Sequence, residues 1–210
     1  MTRGILVAIE GIDGAGKSTQ RARLEQRLEA EGIPYVASRE PTDGPWGRKI
    51  RESAASQRMS PEDELAAFVA DRKQHLQKVV EPALAAGKLV LLDRYYPSSV
   101  AYQGARGLGM EHCLTANAFA PAPDVLIILD LDPAHGVERV HQRGQGADEF
   151  EKVDYLAEVR EIFLALPLAN KHVLDATQSV DELADTVATL VLAAWAQRGQ
   201  GGGVGERRRG

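Results

Sequence analysis

Five short apolar runs recur along the chain, at positions 5–9, 35–38, 89–92, 125–129 and 172–174, with longer amphipathic stretches between them. Continuous rather than alternating apolar runs suit strands buried on both faces. The pattern therefore predicts an α/β domain: a five-stranded parallel sheet covered by helices on both faces. Helix starts are written in the same text. Ser60-Pro61-Glu62-Asp63 supplies a cap, a proline for the first turn and early acids, and that helical stretch ends at Gly87 after Ala86. Asp132-Pro133 and Ser179-Val180-Asp181-Glu182 repeat the logic, and a helix is expected over 19–31. Loop signals fall at 41–47, 104–109 and 143–148, the segments expected to face a ligand.

Length and charge narrow the picture. With 210 residues and 44% hydrophobic content, one domain is expected, over residues 1–196. Residues 197–210 hold six glycines and four arginines and read as a flexible tail. The tail carries +3 of the formal −5, leaving −8 for the rest, so no overall basic field marks a nucleic-acid binder. Positive groups should act locally, on a small anionic ligand. No stretch approaches a membrane span, the N-terminus lacks the features of a signal peptide, and Cys113 is the only cysteine. A soluble, cytoplasmic protein is expected, without nucleic-acid or membrane partners.

The chemistry begins at Gly11-Ile12-Asp13-Gly14-Ala15-Gly16-Lys17-Ser18, followed by Thr19. It matches G-x-x-x-x-G-K-[ST] and lies between an apolar run and a helical segment, the context such a loop needs. Its glycines let consecutive N–H groups turn inward on phosphate, and the following helix adds its positive end. Lys17 is expected on the β and γ phosphates of ATP. The Ser18 hydroxyl is expected on Mg²⁺. No N-K-x-D sequence is present, which sets aside a guanine-reading GTPase. Instead arginines follow strands: Arg39 in Arg39-Glu40-Pro41 and Arg94 in Asp93-Arg94-Tyr95. Both could fork onto a second, acceptor phosphate, and Asp93 is placed to orient a magnesium-bound water.

Together with Phe68-Val69-Ala70-Asp71-Arg72 and Ser98-Ser99-Val100-Ala101-Tyr102-Gln103-Gly104, these segments make the chain resemble a thymidylate kinase of the bacterial type over residues 4–195. The resemblance implies a nucleoside monophosphate kinase fold, ATP and thymidine monophosphate (dTMP) as substrates, and a homodimer. It implies Arg39 and Arg94 on the monophosphate, Asp13 on the 3′-hydroxyl, Phe68 stacked on thymine and Arg72 donating to a thymine carbonyl. It further implies Tyr102 against the 2′ position and Gln103 on the base edge. Taken alone, Phe68 reads as core. Gly14 stands where some related enzymes carry a catalytic arginine, which moves that duty to a lid at about 139–151. Arg143 is expected to supply the charge there, with Arg139 supporting it or covering adenine. Glu149 stands where the family commonly has arginine. Two other readings stay open: a kinase for another monophosphate or a deoxynucleoside, and a nucleotide-binding paralogue that transfers slowly.

Overall fold

The computed structural model describes residues 2–56, 58–141 and 149–198, with no side-chain description at 149–152. The elements run β1 (Leu6–Gly11), α1 (Lys17–Ala30), β2 (Tyr35–Arg39), α2 (Pro45–Ala55), α3 (Pro61–His75), α4 (Glu81–Ala85), β3 (Leu89–Asp93), α5 (Tyr96–Gln103), α6 (Met110–Ala116), β4 (Val125–Asp130), α7 (Pro133–His141), α8 (Glu149–Ala165), β5 (Lys171–Asp175) and α9 (Val180–Gln197). The strands form one parallel sheet in the order β2-β3-β1-β4-β5. Five parallel strands were expected, and five are present. The expectation was narrower at the carboxyl ends. Backbone pairing carries β1, β2 and β3 past their apolar runs to Gly11, Arg39 and Asp93, with Ile9 and Arg39 both in register with Asp93. Pairing needs only peptide groups, so the polar residues that end these strands are held as rigidly as the apolar ones before them.

The core follows from the apolar runs. Every residue of β1 is buried, and Leu89–Leu92 and Val125–Leu129 flank it at no more than 2% exposure. Helix α1 packs with α9, and α5 with α3 and α8. In α8 the buried Leu156, Val159 and Phe163 repeat at helical spacing. The stretch read as one helix from Pro61 to Ala86 is interrupted: α3 passes through a wide π turn at Leu76–Val80 into α4. Pro82, which lacks an N–H and crowds the carbonyl four residues back, accounts for the widening. The segment 41–47, read as loop, contains the start of α2, where Pro45 occupies the first turn. The segment 104–109 is a second π turn, Gly104–Leu108. Among the described residues no helix is long and apolar enough to cross a membrane. Helix α9 extends to Gln197, and residues 199–210 lie outside the described residues.

Candidate active site

The carboxyl ends of β1, β2 and β3 converge on one side of the sheet, where the phosphate loop joins β1 to α1. Helix α1 starts two residues before the apolar pattern suggested, so Lys17 and Ser18 belong to its first turn. Gly16 precedes it in the left-handed region (φ 93°), a conformation that glycine adopts without steric cost. Lys17 is 7% exposed and donates from Nζ to the carbonyls of Gly11 (3.0 Å) and Ile12 (2.8 Å). Burial, followed by the nearby Arg94 charge, lowers its ammonium to about 7. The Ser18 hydroxyl donates to Asp93 Oδ2 at 3.1 Å.

Gly14 explains why this loop carries no arginine at that position. Its φ is 85°, and a Cβ there would lie 2.4 Å from the carbonyl oxygen of Gly136 in α7. The converse holds too, since a Cβ on Gly136 would meet the carbonyl oxygen of Asp13 at 2.7 Å. Loop and helix thus touch backbone to backbone. Arg139, farther along α7, reaches the carbonyls of Gly14 and Ala176 at 3.4 Å each. Arg143 lies outside the described residues, as does the side chain of Glu149.

Beside the loop is a cavity of about 250 Å³, bounded by α2, α3, α5 and the turn after β3. Phe68, Arg72, Arg94, Tyr102 and Gln103, all singled out in the sequence, line it. Phe68 is half-buried at the cavity wall rather than in the core. Arg94 stands in the left-handed region (φ 67°), the one non-glycine residue there among those described. Its guanidinium donates to Asp13 of the phosphate loop and to Ser98 Oγ (3.1 Å), and lies 5.0 Å from the Tyr102 ring. Asp13 does not line the cavity, but Arg94 ties it to the cavity's edge. Arg39 is also outside the lining. It is largely exposed, and it donates to Asp43 at 3.0 Å, a carboxylate that Arg51 shares.

Several residues of the site were given no role by the sequence, although Glu40, Asp71 and Ser99 lie inside its motifs. Glu10, fully buried, accepts from Tyr95 N (2.7 Å), Ser98 N (3.3 Å) and Ser98 Oγ (2.6 Å). Glu40 accepts from Arg72 Nε at 2.8 Å and is hydrogen-bonded to His75 Nδ1 at 3.0 Å, while His75 Nε2 meets Ser38 Oγ at 2.8 Å. Ser99 and Asn117 take further Arg72 donors. Arg72, which lines the cavity together with Glu40 and Ser99, is therefore fixed by buried hydrogen-bond partners. Asp71, next to it, accepts from Thr42 N (2.7 Å) and Thr42 Oγ1 (2.6 Å), tying the loop after β2 to α3. Such a network joins residues 27 to 88 positions apart, and no local pattern announces it.

The thymidylate kinase family model matches residues 9–187. Proteins named thymidylate kinase are 49% identical to this chain in Xanthomonas oryzae pv. oryzae strain PXO99A (95% of this chain, 88% of that protein) and in Xanthomonas euvesicatoria pv. vesicatoria strain 85-10 (93% and 86%). One from Xylella fastidiosa strain M12 is 49% identical over 90% of this chain and 87% of its own length. A phosphate loop, an adjoining cavity and an arginine that spans them, together with this similarity over nearly the whole chain, establish that the chain belongs to the thymidylate kinase family.

Proposed function

We propose that the chain transfers the γ-phosphoryl group of ATP to dTMP, giving dTDP and ADP, with ATP on the phosphate loop and dTMP in the cavity beside it. The observation that carries this reading is Arg94, which lines the acceptor cavity and is bonded to Asp13 of the phosphate loop. One side chain thus joins the two binding regions, as transfer between two phosphates requires. In the reaction an oxygen of the acceptor phosphate bonds to the γ phosphorus, and the bond from that phosphorus to the β–γ bridging oxygen breaks. The protein's work is alignment and neutralisation of spreading charge.

Lys17 leaves the loop carbonyls for the β and γ phosphates, whose charge restores its proton. Ser18 and Asp93 are hard oxygen donors in contact at the end of the loop, and they fit Mg²⁺, which the Ser18 hydroxyl would ligate and whose water Asp93 would orient. That ion, when bound, offsets negative charge on the β and γ oxygens. Arg94 and Arg39 receive the acceptor phosphate, Arg39 after exchanging Asp43 for it. Asp13 takes the 3′-hydroxyl, Tyr102 crowds the 2′ position, Phe68 stacks on the base, and Arg72 and Gln103 read its edge. Arg143 supplies lid charge in the transition state, with Arg139 in support. The same reading includes a cytoplasmic homodimer. A panel of monophosphates with ATP and magnesium tests it: turnover of dTMP should exceed that of AMP, CMP and dCMP, and the opposite order overturns the acceptor assignment.

A further inference from the structure

Glu64 is part of the same cavity's lining and has no role in the reaction as described. It sits in the first turn of α3, 4% exposed, and three side chains converge on it. Gln103 Nε2 donates to its Oε2 at 2.9 Å, Arg106 NH1 donates to the same oxygen, and Arg58 Nε donates to Oε1 at 3.1 Å. Burial works to raise its carboxyl, but the hydrogen bonds from Arg58, Gln103 and Arg106 outweigh it and hold the group below its ordinary value. Glu64 is therefore a carboxylate that can only accept.

That has a consequence for Gln103. The two ends of an amide have nearly the same shape, so its orientation is decided by its partners. An acceptor-only neighbour admits the NH₂ end alone. The other end, Oε1, belongs to a cavity-lining residue 2% exposed and has no hydrogen-bond partner among the described residues. Arg72, also lining the cavity, offers only donors. A donor beside an acceptor matches a pyrimidine edge with a carbonyl at position 4 and an N–H at position 3. Cytosine presents the reverse. With the amide turned over, its NH₂ would suit the bare N3 of cytosine.

We infer that Glu64 is a specificity-determining positioning residue: by holding Gln103 Nε2 it keeps Gln103 Oε1 toward the base and so excludes cytosine nucleotides. The inference rests on dTMP as the acceptor. It is tested by measuring kcat and KM for dTMP and dCMP, with saturating ATP and magnesium, for the wild type, E64Q and the exchanged pair E64Q/Q103E. The amide introduced in E64Q can donate or accept, which frees Gln103 to turn. The dTMP over dCMP ratio of kcat/KM should fall at least tenfold, through the KM of the monophosphates, while KM for ATP stays within about twofold. In the exchanged pair a carboxylate at position 103 accepts from the base in either orientation, at unchanged net charge, and the ratio should return to within about threefold of wild type. A folded E64Q that keeps the wild-type ratio overturns the inference, and so does an exchanged pair that fails to discriminate. The second result decides the matter even where E64Q alone does not fold. A wild type that turns over dCMP as readily as dTMP instead overturns the acceptor assignment, and this inference with it.

Discussion

At the residue scale, Arg94 carries both a chemical and a conformational demand. Its guanidinium reaches Asp13 and Ser98 only because the backbone at φ 67° turns back from β3 toward the phosphate loop. The left-handed region costs an ordinary residue about 1 kcal/mol or more, and a buried acid imposes it here. Glu10 fixes Tyr95 N and Ser98 N, the peptide groups on the far side of the turn. Two variants separate the demands. Both R94A and R94G should lower kcat/KM for dTMP by more than a hundredfold, while R94G should be more stable than R94A by about 1 kcal/mol in urea unfolding, because glycine relieves the turn. Equal stability would mean the turn is not strained. Glu10 makes a second prediction. Burial raises its carboxyl from 4.5 to about 7, against hydrogen bonds from Ser98 and Tyr95 and the Arg94 charge. The native state keeps this proton after the unfolded chain has lost it, so the group's contribution to stability falls as pH rises from about 4.5 to about 7. E10Q removes that contribution. The stability of E10Q relative to wild type should rise by about 3 kcal/mol across this window, measured by denaturant unfolding at successive pH values.

At the element scale, the contact between α7 and the phosphate loop decides where the catalytic arginine can be. Gly14 and Gly136 face each other without side chains, so no arginine fits at position 14, and the helix leading toward residues 142–148 rests on the backbone of the phosphate loop. G136A should push the loop by several tenths of an ångström, raising KM for ATP at least tenfold and costing about 1–3 kcal/mol of stability. Unchanged ATP kinetics would show that the loop gives way freely. Helix α9, at the other edge, offers a contrast. Its Ser179 and Glu182 form a reciprocal capping box, and S179A should cost about 1 kcal/mol in thermal unfolding without changing kcat.

At the scale of the whole molecule, the strand order β2-β3-β1-β4-β5 brings Arg39, Asp93 and the phosphate loop to one side of the sheet, although fifty or more residues separate Arg39 from Asp93 in the chain. That convergence is the general reason open parallel sheets bind ligands at their carboxyl ends. It also concentrates positive charge locally in a chain of net charge −5. If the lid completes this site, R143A should lower kcat by far more than threefold with KM for dTMP little changed, as expected for a contact made only in the transition state. A kcat within threefold of wild type, a barrier change under about 1 kcal/mol, assigns the duty to another arginine.

The fold class and the phosphate loop were legible in the chain itself, and the family resemblance singled out Phe68, Arg72, Arg94, Tyr102 and Gln103, which the structure brings together around one cavity. Their signals are local: apolar runs set by double-sided burial, glycines set by close backbone approach, and motif residues a few positions apart. Phe68 and Arg72 could be placed on one helix face by spacing alone. Their neighbour on that face, Glu64, could not be given a role, because its partners Arg58, Gln103 and Arg106 come from two other segments, one of them about forty positions away. The same holds for Glu10, which fixes the turn at Arg94, and for Glu40, which joins Arg72 to His75. The residues expected to meet substrate are thus announced by sequence. The buried groups that orient them are chosen by tertiary structure, because a buried polar atom must find its partner wherever the fold brings one within reach.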